Sequence, residues 1–158
     1  MRGAGLKADV VNAFLDPVVA AWRDQLSVEV AFADAAASSG PFETGDVTAV
    51  VGVSGQVRGH VFYEFPARTA LALAHAIGGA RKREVDADVY QAIQQVADAI
   101  AAAVPGRLRA TGNESQVTSP VLLAGGASIS LDSPSLIAHF TSVLGPMSVH
   151  ISLTESAT

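Results

Sequence analysis

The stretch VTAVVGVSGQVRGHVFYEF, Val47 to Phe65, decides the fold. Two runs rich in β-branched and aromatic residues flank Ser54-Gly55-Gln56, which is the pattern of two strands and a short turn. A three-residue loop pairs Val53 with Val57, Val51 with Gly59, Ala49 with Val61 and Val47 with Tyr63. Side chains alternate across a strand, so this register gathers the apolar residues on one face. Arg58, His60 and Glu64 fall on the other. The segment is therefore an antiparallel hairpin with one face to bury.

A second hairpin is predicted from Ser135 to Leu144 and Met147 to Leu153, around Gly145-Pro146. Pairing Leu144 with Met147 aligns Phe140 with Ile151 and Ala138 with Leu153. Before the first hairpin, Lys7 to Leu26 carries Val11, Leu15, Val18, Trp22 and Leu26 at helical spacing, with Pro17 expected to kink or divide it. Val28 to Asp34 reads as a strand, and Ala35 to Thr44 as a loop. After the hairpin, Ala67 to Ile77 reads as a helix closed by Gly78-Gly79. Asp86 to Thr111 is the clearest helix, capped by Asp86 or Asp88 and buried along Val89, Ile93, Val96, Ile100 and Val104. Pro105-Gly106 should kink it and Gly112 end it. Gln116 to Leu123 reads as a strand whose Pro120 places it at an edge or a bulge.

The order is thus helix, strand, hairpin, helix, then helix, strand, hairpin. An α+β fold follows: an antiparallel sheet from two hairpin-containing pseudo-repeats, α-β-β-β-α and α-β-β-β, with helices packed on one face. The 158 residues make one domain, with a core from about 7 to 153 and loose termini at Arg2 to Gly5 and Ser156 to Thr158.

Composition excludes much chemistry. There is no Cys, so disulfides, thiolate metal sites and a cysteine nucleophile are absent. The net charge of −5 disfavours sequence-independent nucleic-acid binding, which relies on many Lys and Arg contacts to phosphates. Mean hydropathy is high, +0.35, yet no apolar run reaches the ~20 residues of a membrane span. A cytoplasmic domain without a signal peptide is expected. No G-x-S-x-G elbow or P-loop occurs. Gly52, Gly55, Gly125 and Gly126 read as turn glycines, and Arg81-Lys82-Arg83 as a solvated turn. His139 and His150 lie diagonal to each other on the polar face of the second hairpin, His150 opposite Thr141. With no third ligand beside them, they read as exposed or interface histidines, not a metal site.

The long helix holds the most informative polar set. Gln91, Gln95, Asp98 and Ala102 share the face opposite its buried stripe. An ordinary wet face would carry Lys, Arg or Glu, and none occurs from Val89 to Val104. Amides, one acid and small neighbours would let another protein approach closely.

Several stretches, in this order, resemble the CheX/CheC family of chemotaxis phosphatases, CheX more than CheC. They are Val11-Asn12-Ala13-Phe14-Leu15; Gly45-Asp46-Val47-Thr48 with Gly52, Gly55 and Gly59; Ile77-Gly78-Gly79; and Thr118-Ser119-Pro120-Val121 with Gly125. The resemblance implies hydrolysis of the phosphoaspartate of a CheY-like response-regulator receiver. A Glu-x-x-Asn pair on the family's long helix does this work: the acid engages a receiver Lys, and the amide orients the attacking water. The phosphoryl group and its Mg²⁺ belong to the receiver, so no cofactor is expected on this chain. The matching positions here are Gln95 and Asp98, a Gln-x-x-Asp with amide and acid exchanged. These two are the catalytic candidates, with Gln91, Gln94 and Ala102 as partner contacts and no metal ligand. A carboxylate at 98 meets an anionic phosphoryl group and lacks N–H donors, but it can accept a proton from water. Asp9 and Asn12 place acid and amide in the family's order on the first helix, where a structural reading of Asn12 is favoured. The resemblance also implies a homodimer paired through the sheets. Three functions follow: a receiver phosphatase with an altered pair; an inactive CheX-like adaptor; or, outside the family, an α+β ligand-binding or dimerisation module.

Overall fold

The computed structural model describes residues 6–79, 81–131 and 135–155, so both termini predicted to be loose lie outside the described residues. The elements in chain order are helix α1 (Ala8–Leu26), strands β1 (Val30–Ser38), β2 (Phe42–Glu43), β3 (Val47–Gly55) and β4 (Val57–Phe65), and helices α2 (Ala67–Ala76) and α3 (Ala87–Ala110). Strands β5 (Ser115–Val117), β6 (Val121–Ala124), β7 (Ser128–Ile129), β8 (Ser135–Ser142) and β9 (Met147–Glu155) follow. The fold is α+β, as the alternation predicts.

Both predicted hairpins form, each with a shifted register. In the first, Val51 faces Val61 and Ala49 faces Tyr63, two residues from the expected pairing. The last pair is Val53 with Gly59, and the strands run on beyond it to outer neighbours: Gly55 to Ser115, and Val57 to Glu155. In the second, Phe140 faces Met147 and Ala138 faces Val149, a shift of four. Its wider turn closes on itself, because the Ser142 hydroxyl donates to the Gly145 carbonyl at 3.1 Å and accepts from the Leu144 N–H at 3.1 Å. Both shifts are even, so every side chain keeps its predicted face.

Seven strands form one sheet in the order β1-β8-β9-β4-β3-β5, with β6 also on β3. The last strands of the two halves, β4 and β9, pair at its centre. The outer strands cross over: β1 of the first half pairs β8 of the second, and β5 and β6 of the second pair β3 of the first. Each half therefore completes the other's edge, a pseudo-symmetric exchange that matches the element-order repeat. Gln116 to Leu123 is divided at Pro120, as its edge position allows. The register moves by one residue between β5 and β6, and Thr118 spans the gap, its N–H donating to the Gly52 carbonyl at 2.9 Å and its hydroxyl accepting the Gly52 N–H at 2.8 Å.

Helices α1 and α3 lie side by side and antiparallel, since Gln25 meets Gln95 near one end and Asp16 meets Arg107 near the other. Their stripes enter one core with the inner sheet face: Val10, Phe14, Val18 and Trp22 from α1, Val89, Ile93, Val96, Ile100 and Val104 from α3, all fully buried. Trp22 stacks on Phe65, and the buried Tyr63 hydroxyl donates to the Phe14 carbonyl at 3.1 Å, while burial raises its pKa. Neither proline divides its helix. Pro17 and Pro105 each lie inside a continuous span, the lost N–H bond being offset by packing between the two helices. Asp86 caps α3 by accepting the Val89 N–H, and Asp46 accepts the Ala67 N–H at 2.7 Å where α2 begins.

Two expectations fail on the outer face of the sheet. Ala35 to Ser38 continue β1, and Phe42–Glu43 form β2, where the composition predicts a loop. The edge strand β1 is exposed on both sides for most of its length, so it carries no alternation to betray it. His150 is buried, not exposed, and lies opposite Ile137, not Thr141. Phe42 stacks on its ring at 3.7 Å between centroids. Glu64, on the neighbouring β4, lies 3.1 Å from its Nδ1. A carboxylate only accepts, so Nδ1 carries the proton. Glu64 also accepts the Gly45 N–H at 3.0 Å, which ties the β2–β3 connection to the sheet. Truncating His150 to Ala strips the half-buried Glu64 carboxylate of one of its two partners and Phe42 of its platform. A loss of about 2 kcal/mol in unfolding free energy is expected, read as a lower urea midpoint at unchanged slope.

Candidate functional site

The buried stripe of α3 fixes which face is left. Gln91, Gln95, Asp98 and Ala102 are all exposed and form one strip along the helix; Gln94 lies beside it, half-buried. The strip is built as the spacing predicts. No Lys, Arg or Glu interrupts it, and Ala99 and Ala103 at its margin are small.

Three polar contacts define the strip's geometry. Gln94 Nε2 donates to Asp98 Oδ1 at 2.9 Å and to the Pro120 carbonyl at 3.2 Å. Gln95 Nε2 donates to Gln25 Oε1, from the end of α1, at 3.2 Å. The Gln95 amide oxygen accepts no hydrogen bond among the described residues. Neither Gln25 nor the Pro120 carbonyl belongs to the site read from sequence. Both come from other elements, and only the packing of α1 and the β5–β6 break against α3 reveals them.

Next to Gln95 and Gln91 lies a cavity of about 250 Å³, walled also by Ile77, Lys82 and Asp88. Lys82 bonds Asp86 at 3.0 Å and Asp88 at 3.1 Å. These hydrogen bonds raise the Lys82 pKa. The Lys82 bond, followed by the Val89 N–H, lowers that of Asp86. The expected solvated turn is thus in part an ion-paired cap on the first turn of α3.

The other acid–amide pair, Asp9 and Asn12, is exposed on α1, beside a depression of about 330 Å³ that Asp16 and Arg107 also line. Arg107 reaches Asp16 at 3.6 Å. The Asn12 side chain is exposed and makes no hydrogen bond among the described residues. The two pairs lie toward opposite ends of the α1–α3 layer and form no single site. His139 and His150 remain diagonal, with His139 near Ser148 Oγ at 3.1 Å. Among the described residues, no three His, Asp or Glu side chains gather as a metal centre, and no helix is long and apolar enough to cross a membrane.

An exchanged-strand antiparallel sheet backing two antiparallel helices, one of them with a charge-poor polar strip, defines a family architecture. The profile described as chemotaxis phosphatase CheX matches residues 47–141, more than half of the chain and all of α3. The chain belongs to that family. It is similar to the CheY-P phosphatase CheX of Thermotoga maritima, at 26% identity over 121 residues, covering 76% of this chain and 78% of that protein. A CheC-like superfamily protein from Shewanella sp. PV-4 shares the fold with a TM-score of 0.84 at 20% identity, over 94% of this chain and 99% of that one. The chain in the CheX–CheY–BeF3–Mg²⁺ complex from Borrelia burgdorferi shares it with a TM-score of 0.76 at 23% identity, over 94% and 100%.

Proposed function

We propose that this chain docks on a CheY-like response-regulator receiver through the exposed strip of α3 and hydrolyses the receiver's phosphoaspartate. The observation that carries the reading is the placement of Gln95 and Asp98: both exposed, three residues apart on one face, within the family-matched segment. The relative from Thermotoga maritima is a CheY-P phosphatase, and the one from Borrelia burgdorferi is seen bound to CheY.

Roles follow from the exchanged pair. The amide oxygen of Gln95 accepts from the receiver's lysine, a neutral acceptor in place of an acid. Asp98 accepts a hydrogen from a water molecule and aims its oxygen at phosphorus. The water oxygen bonds to phosphorus as the bond from phosphorus to the receiver's aspartyl oxygen breaks. A carboxylate and inorganic phosphate are left, and the water's proton passes to Asp98 and on to solvent. Two anions 4 Å apart repel by about 4 kcal/mol at an effective dielectric near 20. That is enough to slow the reaction about a thousandfold unless a cation lies on the phosphoryl group. The receiver's Mg²⁺ supplies it, so this chain itself needs no cofactor.

The test is phosphate release from phosphorylated receivers mixed with the purified chain. A rate above the receiver's own supports the reading. Binding without acceleration identifies the inactive adaptor, and absence of binding to any receiver removes both. A homodimer is proposed alongside: the apolar groove of about 540 Å³ on the outer sheet face, between Val50, Phe62, Val121 and Leu131, supports it. A monomer by light scattering at micromolar concentration counts against it.

A further inference from the structure

We propose that Gln94 is the positioning residue of this site, holding the Asp98 carboxylate in a single orientation with one oxygen presented to the incoming phosphoryl group. The proposal rests on the phosphatase reading of the α3 strip and deepens it.

Gln94 is the half-buried member of the polar set. Its two neighbours fix which way its amide points. Asp98 Oδ1 and the Pro120 carbonyl are acceptors that carry no hydrogen, so the atom lying 2.9 Å from one and 3.2 Å from the other is the nitrogen. Both of its hydrogens are then used. The contact to Asp98 spans one helical turn, and the contact to Pro120 leaves the helix altogether. Pro120 is buried, and the residue after it, Val121, is already paired with Val50 of β3. A rigid path therefore runs from the sheet, through the Pro120 carbonyl and the Gln94 amide, to a carboxylate that stands exposed on a helix surface.

The path does two things for an acid at this position. An exposed Asp samples several rotamers, and one tied at Oδ1 leaves only Oδ2 to meet a water, in one direction. A reacting group held in place loses less freedom on reaching the transition state. The N–H also turns a positive dipole toward the carboxylate oxygen, offsetting part of its repulsion by the phosphoryl group.

Steady-state phosphate release from a phosphorylated receiver, with the full chain, tests this. Gln94→Ala is expected to lower kcat about tenfold while KM moves by less than about twofold, because the side chain acts through Asp98 and not on the bound partner. Gln94→Glu keeps the length and loses both donors, so it is expected to fall at least as far. In an Asp98→Ala background, Gln94→Ala is expected to change nothing further. In the free protein, the Gln94 side-chain NH₂ resonances are expected to shift on Asp98→Ala. An unchanged kcat in Gln94→Ala or Gln94→Glu, an equal loss in both backgrounds, or unmoved NH₂ resonances overturns the proposal. A wild-type chain that does not exceed the receiver's own rate removes the phosphatase reading and this proposal with it. An active wild type with an equally active Gln94→Ala removes this proposal alone.

Discussion

Asp98→Ala is expected to slow receiver dephosphorylation about a hundredfold, the scale of losing a positioned proton acceptor. The side chain is exposed on α3 and is the one carboxylate of the strip, so its removal takes the water's acceptor and little else. Alanine is the best helix former, and the stripe that anchors α3 lies on the opposite face, so circular dichroism and the thermal midpoint should be unchanged. The loss should appear in kcat, with binding to a phosphoryl-mimic receiver retained. A variant as fast as the wild type would show that Asp98 is only a surface residue. Restoring the family order tests the same placement from the other side. Gln95→Glu with Asp98→Asn is expected to keep or raise hydrolysis, since the acid then meets the lysine and the amide the water. Loss of activity with binding intact would mean that the receiver docks in another pose.

The sequence carried local pairing and burial, and not the assembly of distant parts. Both hairpins and the faces of their strands were legible because a side chain's face repeats every two residues. The registers were missed by two and by four, and neither error moved a side chain between faces. What misplaced the pairings was the turn: both strands of the first hairpin, and β8 of the second, run past the last mutual pair to bond an outer neighbour, which no local pattern announces. The crossing of β1 and β5 between the halves is of the same kind. So is β1 beyond Asp34, where Ala35 to Ser38 pair with β8 while exposing both faces.

The site divides along the same line. Its positions on α3 were legible because a helix face follows from spacing alone, and the buried stripe of valines and isoleucines marks its opposite. The partners that orient those side chains were not. Gln25 is a polar residue near the end of a helix, and Pro120 read as an interruption in an edge strand; neither carries a signature of contact with α3. His150 shows the converse error. On a polar strand face it read as exposed, and only the approach of Phe42 from outside the hairpin buries it. The charge-poor composition gains a physical sense from this arrangement. The strip's hydrogen bonds hold amides and one acid in place, and under the proposed function the cation is left to the partner.

Gly59→Ala is expected to be the most damaging single methyl that can be added to the sheet, lowering unfolding free energy by about 3 kcal/mol or more. Gly59 lies where three strands meet. It faces Val53 at the end of the β3–β4 ladder and Leu153 across the central β4–β9 pair that joins the two halves. Its φ of +139° is a conformation that residues with a Cβ rarely adopt. A Cβ built there would stand 2.1 Å from the Ser152 carbonyl oxygen and 3.0 Å from the Leu153 Cα, both backbone atoms that no rotamer change can move aside. Relief requires β9 to separate from β4, which breaks hydrogen bonds at the centre of the fold. Gly112→Ala separates this clash from backbone strain alone. Gly112 also has a positive φ, +89°, but a Cβ there meets nothing within 4 Å, so about 1 kcal/mol of left-handed strain is all that is expected. Urea unfolding of the two variants, at equal slopes, should differ by about 2 kcal/mol. Equal losses would mean that the β4–β9 contact yields to a methyl group at no cost, and that the centre of the sheet is looser than its closely approaching backbones require.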